Sequence, residues 1–223
     1  MVTPLALAPG VQLWREYFAR EQQAVLVEEI LARAAEAPFY KPVMPKSGTP
    51  FSVEETNFGP LGWLSDKSGY RYAPTHPVTE KAWPAIPPAL LALWDAVTLY
   101  PAPPQCCLVN LYRGGAKMGL HQDRDEAALD APVLSVSLGD EALFRFGGTA
   151  RKGATQSVKL SSGDVLCFGG PARLMFHGID KVLAGSSTLV PGGGRINLTL
   201  RRVNPEMGQI KWRPTGGPIG RLF

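Results

Sequence analysis

Cysteine is scarce in this chain: three in 223 residues, two of them adjacent as Cys106 and Cys107, with no C-x-x-C pair. That number cannot build a disulfide framework, so the core must be apolar and the thiols are expected to be reduced, small buried hydrophobes. Long apolar runs are also missing. No stretch approaches the roughly 20 residues of a membrane span, and Met1 to Gly10 lacks the basic, then apolar, pattern of a secretory leader. These absences give the expectation of a cytoplasmic protein without membrane association. Charge of one sign is not concentrated either: 19% of residues are charged and the formal net charge is +4. A polyanionic partner is compatible with that balance, but no Lys/Arg stripe demands one.

What the chain has in quantity is turn-formers, 24 Gly and 21 Pro, together with 45% hydrophobic residues. This composition favours many short strands in a mainly β (α+β) fold. Val27, Ile30, Leu31 and Ala34 follow helical spacing within Glu21 to Glu36, closed by Pro38; a second helix follows Pro87 and Pro88, with Leu90, Leu93, Trp94 and Val97 on one stripe. Phe51 to Trp83, broken by Asn57, Gly59, Gly62 and Gly69, reads as short strands and loops. Beyond Gln105, the runs Val133–Leu138, Ala142–Phe146, Gln156–Leu160, Val165–Phe168 and Arg195–Arg201 predict strands of a sandwich or double-sheet jelly roll, with the two helices packed outside. The expected organisation is residues 1–104 as helices and flanking strands packed on a core at 105–203, with an extension at 204–223, all in one compact unit.

In His121-Gln122-Asp123 the two candidate ligands are two apart, so an extended backbone points both to one side. His177 is the third candidate. Two histidines and one carboxylate form the facial set that suits non-haem Fe(II) and leaves positions free for a 2-oxo acid and O2. H-x-D is common by chance, and buried histidines often serve only as hydrogen-bonding core residues. His76, in Thr75-His76-Pro77, has no partner spacing and reads as a surface or loop histidine. A second pattern supports the site: Arg195-Ile196-Asn197-Leu198-Thr199-Leu200-Arg201 alternates strictly, so a strand gathers Arg195, Asn197, Thr199 and Arg201 on one face. A solvated edge strand would look the same. Two arginine forks, however, fit a dicarboxylate. Leu108 to Tyr112 puts Asn110 and Tyr112 on a shared face, as structural hydrogen-bonders or as contacts to carboxylate oxygens.

The series Asn110-x-Tyr112, Gly115, Met118, His121-x-Asp123, His177-Gly178 and Arg195-x-Asn197-x-Thr199-x-Arg201 resembles the AlkB family of alkylation-repair dioxygenases, in particular its bacterial members, from about Phe51 to about Val203. The resemblance implies a double-stranded β-helix core and a β-rich substrate lid. It implies Fe(II) on His121, Asp123 and His177, and 2-oxoglutarate held by Arg201 near the metal and by Arg195 at its distal carboxylate. Asn110, Tyr112 and Asn197 would complete that pocket and Met118 would pack against it. In the implied lid, Trp63 would stack on the damaged base, Tyr70 and Tyr72 would line the pocket or touch phosphate, and Asp125 and Arg151 would contact the substrate, with Arg71 a further loop candidate for nucleic-acid contact. The implied activity is oxidative demethylation of alkylated DNA, or RNA, at bases such as N1-methyladenine and N3-methylcytosine; a monomer with no obligate protein partner is the default expectation. Two other readings stay open: a dioxygenase of the same type acting on a protein or small molecule, and a jelly-roll metal-binding module without catalysis.

Overall fold

The computed structural model describes residues 3–205, and the extension expected at 204–223 falls outside them from residue 206 onward. In chain order the elements are β1 (Leu5–Ala8), β2 (Val11–Trp14), α1 (Arg20–Glu36), β3 (Glu54–Phe58), β4 (Gly62–Asp66), β5 (Gly69–Ala73), α2 (Pro88–Thr98) and β6 (Cys106–Tyr112). They continue with β7 (Met118–His121), β8 (Val133–Gly139), β9 (Glu141–Gly147), β10 (Thr155–Leu160), β11 (Val165–Phe168), β12 (His177–Leu183) and β13 (Arg195–Arg201). A seven-stranded sheet runs β1-β2-β11-β8-β13-β6-β3, and a four-stranded sheet runs β10-β9-β12-β7. Every strand pairing is antiparallel. The two sheets form the expected jelly roll.

Both helices form where periodicity predicts. Gln22 Oε1 accepts from the Ala19 amide at 2.8 Å at the start of α1, and Pro38 prevents its extension. Pro88 starts α2 without losing a needed amide, and the chain leaves it at Leu99 in the left-handed region, φ 52°. Leu26, Val27, Ile30, Leu90, Leu93 and Trp94 pack against Val109, Leu111, Leu134, Val136, Ile196, Leu198 and Leu200. The large sheet therefore turns one apolar face to the helices, which explains the alternation in β13: its aliphatic residues meet the helices while its polar residues enter the barrel. All seven residues of β13 are buried, so the solvated edge strand is excluded.

Two features depart from expectation. Residues 5–14 form a hairpin, β1–β2, that extends the large sheet through β11; Leu-Ala-Leu-Ala has no β-branched residue to announce a strand. His76 is in a loop but is only 1% exposed. Its Nδ1 accepts from the amides of Val78 and Thr79, and its Nε2 bonds to the Pro38 carbonyl, which makes it a structural post. All three cysteines are free and buried. Burial pushes the Cys106 and Cys167 thiols up to about 12, far from thiolate chemistry.

Candidate active site

The metal-ligand candidates are assembled by strand register. β12 pairs with β7 so that His177 lies opposite His121, bringing the ring centroids to 4.5 Å. Asp123 follows directly after β7. Its carboxylate is 3.7 Å from His121 Nε2 and 3.9 Å from His177 Nε2. The three potential ligand atoms lie within 4.8 Å of one another. Each histidine uses Nδ1 on a backbone carbonyl, His121 to Gly119 at 2.9 Å and His177 to Met175 at 3.1 Å. A carbonyl only accepts, so Nδ1 carries the proton and the Nε2 lone pair is left for a metal. Two imidazole nitrogens and a carboxylate, converging with their tautomers set, fit iron(II).

The electrostatics agree with that fit. Burial, followed by the neighbouring His121, lowers His177 to about 4, so it is neutral near pH 7 as a ligand must be. Burial alone would raise the Asp123 carboxyl, but Arg201 and the two histidines outweigh it and hold the group below the usual carboxylate range. Arg201 grips Asp123 with two contacts, Nε to Oδ2 at 3.1 Å and Nη2 to Oδ1 at 2.9 Å.

The inward face of β13 forms the floor of a cavity of about 460 Å³, lined also by Asn110, Tyr112, Met118 and all three ligand candidates. Arg195 is 1% exposed. It donates through Nη2 to Ser137 Oγ at 3.0 Å and lies over the Tyr112 ring at 5.3 Å. Its Nε and Nη1 have no partner, and no carboxylate pairs with it among the described residues. A buried, unpaired guanidinium is costly unless an anion meets it. Asn197 is committed to the floor itself, donating to Ser135 Oγ at 2.7 Å and the Val136 carbonyl at 3.0 Å.

Above the cavity stands the hairpin β4–β5. Asn57, on β3, clamps its base, accepting from the Trp63 amide and donating to the Trp63 carbonyl. Gly62 is required there because a Cβ would come within 2.4 Å of the Trp83 ring. Trp63 stacks on Tyr70 with centroids 5.6 Å apart and donates from Nε1 to Asp125 Oδ2 at 2.8 Å. Trp63, Tyr70, Asp125 and Arg151 line the cavity, with Arg151 over the Phe176 ring at 5.7 Å. Two expected residues are not among its lining. Arg71 alternates to the outer side of the hairpin and pairs with Asp66 at 2.6 Å. Tyr72 turns its hydroxyl to Glu126.

Glu126 and Glu55 were not singled out from sequence. Glu126 bridges Arg173 at 3.0 Å and Arg201 at 3.6 Å, linking the ligand loop to the barrel; its adjacency to Asp123 and Asp125 was the available signal. Glu55 is fully buried beside the cavity, and an acid two residues before Asn57 in a short strand was its signal.

Fold and site together define an iron(II)- and 2-oxoglutarate-dependent oxygenase, and the family model of the 2OG-Fe(II) oxygenase superfamily matches residues 10–201. A Caulobacter vibrioides alpha-ketoglutarate-dependent dioxygenase AlkB homolog is 56% identical over 201 residues, 89% of this chain and 90% of the relative. The Escherichia coli alpha-ketoglutarate-dependent dioxygenase AlkB is 42% identical over 204 residues, 90% and 93% of the two chains. The solved structure of OsALKBH1 superposes with a TM-score of 0.79 at 30% identity, covering 90% of this chain and all of that one. The chain belongs to the AlkB family within that superfamily.

Proposed function

We propose that the chain repairs alkylated nucleic acid, removing N-methyl groups from bases such as N1-methyladenine and N3-methylcytosine, with DNA as the first polymer and RNA as the second. The observation that carries the reading is the two buried, unpartnered nitrogens of Arg195, Nε and Nη1, on a cavity that also holds the His121, Asp123 and His177 cluster. Partial relatives named DNA N(6)-methyladenine demethylase ALKBH1D (Arabidopsis thaliana) and tRNA demethylase abh1 (Schizosaccharomyces pombe) support a nucleic-acid substrate.

In this reading His121 and His177, through Nε2, and Asp123 hold the iron. Bound iron(II), with 2-oxoglutarate and O2, supplies oxidation of the N-methyl carbon, which leaves as formaldehyde while the cosubstrate becomes succinate and carbon dioxide. Arg195 takes the distal carboxylate of 2-oxoglutarate through its free N–H groups, and Arg201 serves the end near the metal while neutralising Asp123. Asn110, Tyr112 and Asn197 shape that pocket, and Met118 packs against it. Trp63 and Tyr70 offer aromatic faces, and Asp125 a carboxylate, which favour a base made cationic by methylation over a neutral one. A methylated Watson–Crick edge also lowers the cost of unstacking the base. Arg151, at the cavity edge, meets the strand; Arg71 and Tyr72 act from outside the cavity, Arg71 toward phosphate and Tyr72 by holding Glu126. We place the enzyme in the cytoplasm as a monomer. None of the described helices is long and apolar enough to cross a membrane.

The test is repair of matched methylated single- and double-stranded DNA and RNA oligonucleotides, read by mass spectrometry, with succinate formation measured in parallel. Methylated oligonucleotide should stimulate succinate formation above the uncoupled rate. No stimulation by any oligonucleotide redirects the same chemistry to a protein or small-molecule substrate.

A further inference from the structure

One buried acid of the cavity has no task in the mechanism above. Glu55 lies on β3, the edge strand beside β6, and is 0% exposed. Register sets it directly opposite Asn110, which is opposite Asn197, so the three side chains form a row on the barrel-facing side of the sheet. Neither Glu55 oxygen has a hydrogen-bond partner, and neither has the buried Oδ1 of Asn110. Two neighbouring acceptors cannot bond to each other unless one carries a proton, and only the carboxyl group can take one up. Burial without a partner favours the protonated, neutral acid.

We propose that Glu55 is a positioning residue of the cosubstrate pocket: its carboxylic acid donates to Asn110 Oδ1 and fixes that amide with Nδ2 directed to the 2-oxoglutarate carboxylate. The inference rests on the cosubstrate reading given above. An ionised Glu55 would have the opposite effect, presenting a second acceptor to Asn110 and a negative charge to a dianion. Burial raises this carboxyl to about 8, with Arg201 offsetting part of the rise. The groups around it leave that titration isolated near neutrality. From β6, Tyr112 is pushed up to about 12 by burial. Tyr40, bridged to Glu55 ahead of β3, is also raised by burial. Arg201, from β13, is held in its charged form by Asp123 in spite of burial.

The experiment is calorimetric titration of the Mn(II)-loaded protein with 2-oxoglutarate from pH 6.5 to 9, for wild type, Glu55→Gln and Glu55→Ala. Gln keeps a donor toward Asn110 but cannot ionise; Ala removes the donor. Wild-type affinity should fall about tenfold between pH 7 and pH 9, the consequence of one ionisation near the middle of that window. Glu55→Gln should bind within about threefold of wild type at pH 7 and show no fall. Glu55→Ala should bind about tenfold more weakly at pH 7, the loss of one buried donor. A flat wild-type profile, or a Glu55→Gln profile that falls like wild type, overturns the proposal while leaving the cosubstrate reading intact. Absence of 2-oxoglutarate binding to wild type at any pH overturns both. If Glu55→Ala does not fold, the wild-type and Glu55→Gln profiles still decide.

Discussion

Replacing Asp123 with Ala removes a candidate ligand oxygen and also leaves the Arg201 guanidinium, now bound twice to that carboxylate, without its main partner inside the barrel. Iron-dependent turnover should vanish. Denaturant unfolding of the metal-free variant should show a loss of about 3–5 kcal/mol, the cost of breaking a buried pair from one side. Retention of full turnover would show that the ligand is elsewhere. Arg195→Lys keeps the charge but not the fork, so KM for 2-oxoglutarate should rise by about 100-fold, roughly two lost charge-assisted bonds, while affinity for a methylated oligonucleotide is unchanged. Both arginines were legible in the sequence because strict alternation in a seven-residue run leaves few places for two buried cations. Glu55 was legible only as an acid in a short strand: its place opposite Asn110 comes from the neighbouring strand, and one strand's sequence does not name its neighbour.

At the scale of the element, the β12–β7 pair fixes the distance between the histidines, and Gly178 permits the close approach. A Cβ at that position would come within 2.5 Å of the Met118 carbonyl oxygen and 2.9 Å of Gly119 backbone atoms. Gly178→Ala should therefore spread the two strands and weaken Fe(II) affinity at least tenfold by equilibrium dialysis, with Arg195 and its floor intact. The lid makes a separable prediction: Trp63→Ala should lower kcat/KM for a methylated oligonucleotide 10- to 100-fold through lost stacking, leaving uncoupled 2-oxoglutarate turnover near wild type. Helices α1 and α2 and the strands β8 to β11 and β13 could be read from periodicity and turn residues. The hairpin β1–β2 could not: Leu and Ala alternate in β1 without a β-forming side chain, and the four residues of β2, though they include Val11 and Trp14, are too short a run to announce a strand alone. Arg71, which does not line the cavity, shows a different limit. The glycines and aromatics of residues 62–73 mark the hairpin, but only its pleat decides which residues face inward.

Over the whole molecule, two buried groups impose opposite pH limits on the metal-free protein. His177, lowered from 6.5 to about 4, gives stability that is complete above pH 6.5 and is lost as pH falls toward 4. Glu55, raised from 4.5 to about 8, gives stability that is complete below pH 4.5 and is lost as pH rises through 8, because the folded chain there holds a proton that the unfolded chain has released. Thermal melts in chelator should show wild type losing several degrees between pH 6 and pH 9, while Glu55→Gln stays level over that range. A parallel decline in the variant would assign the effect to other groups. The grip of Arg201 on Asp123, and of two backbone carbonyls on the histidines, reaches further than pH. These contacts orient every ligand candidate through bonds to the protein itself, so a change that breaks one of them loosens the seat of the metal even where all three ligand side chains are kept.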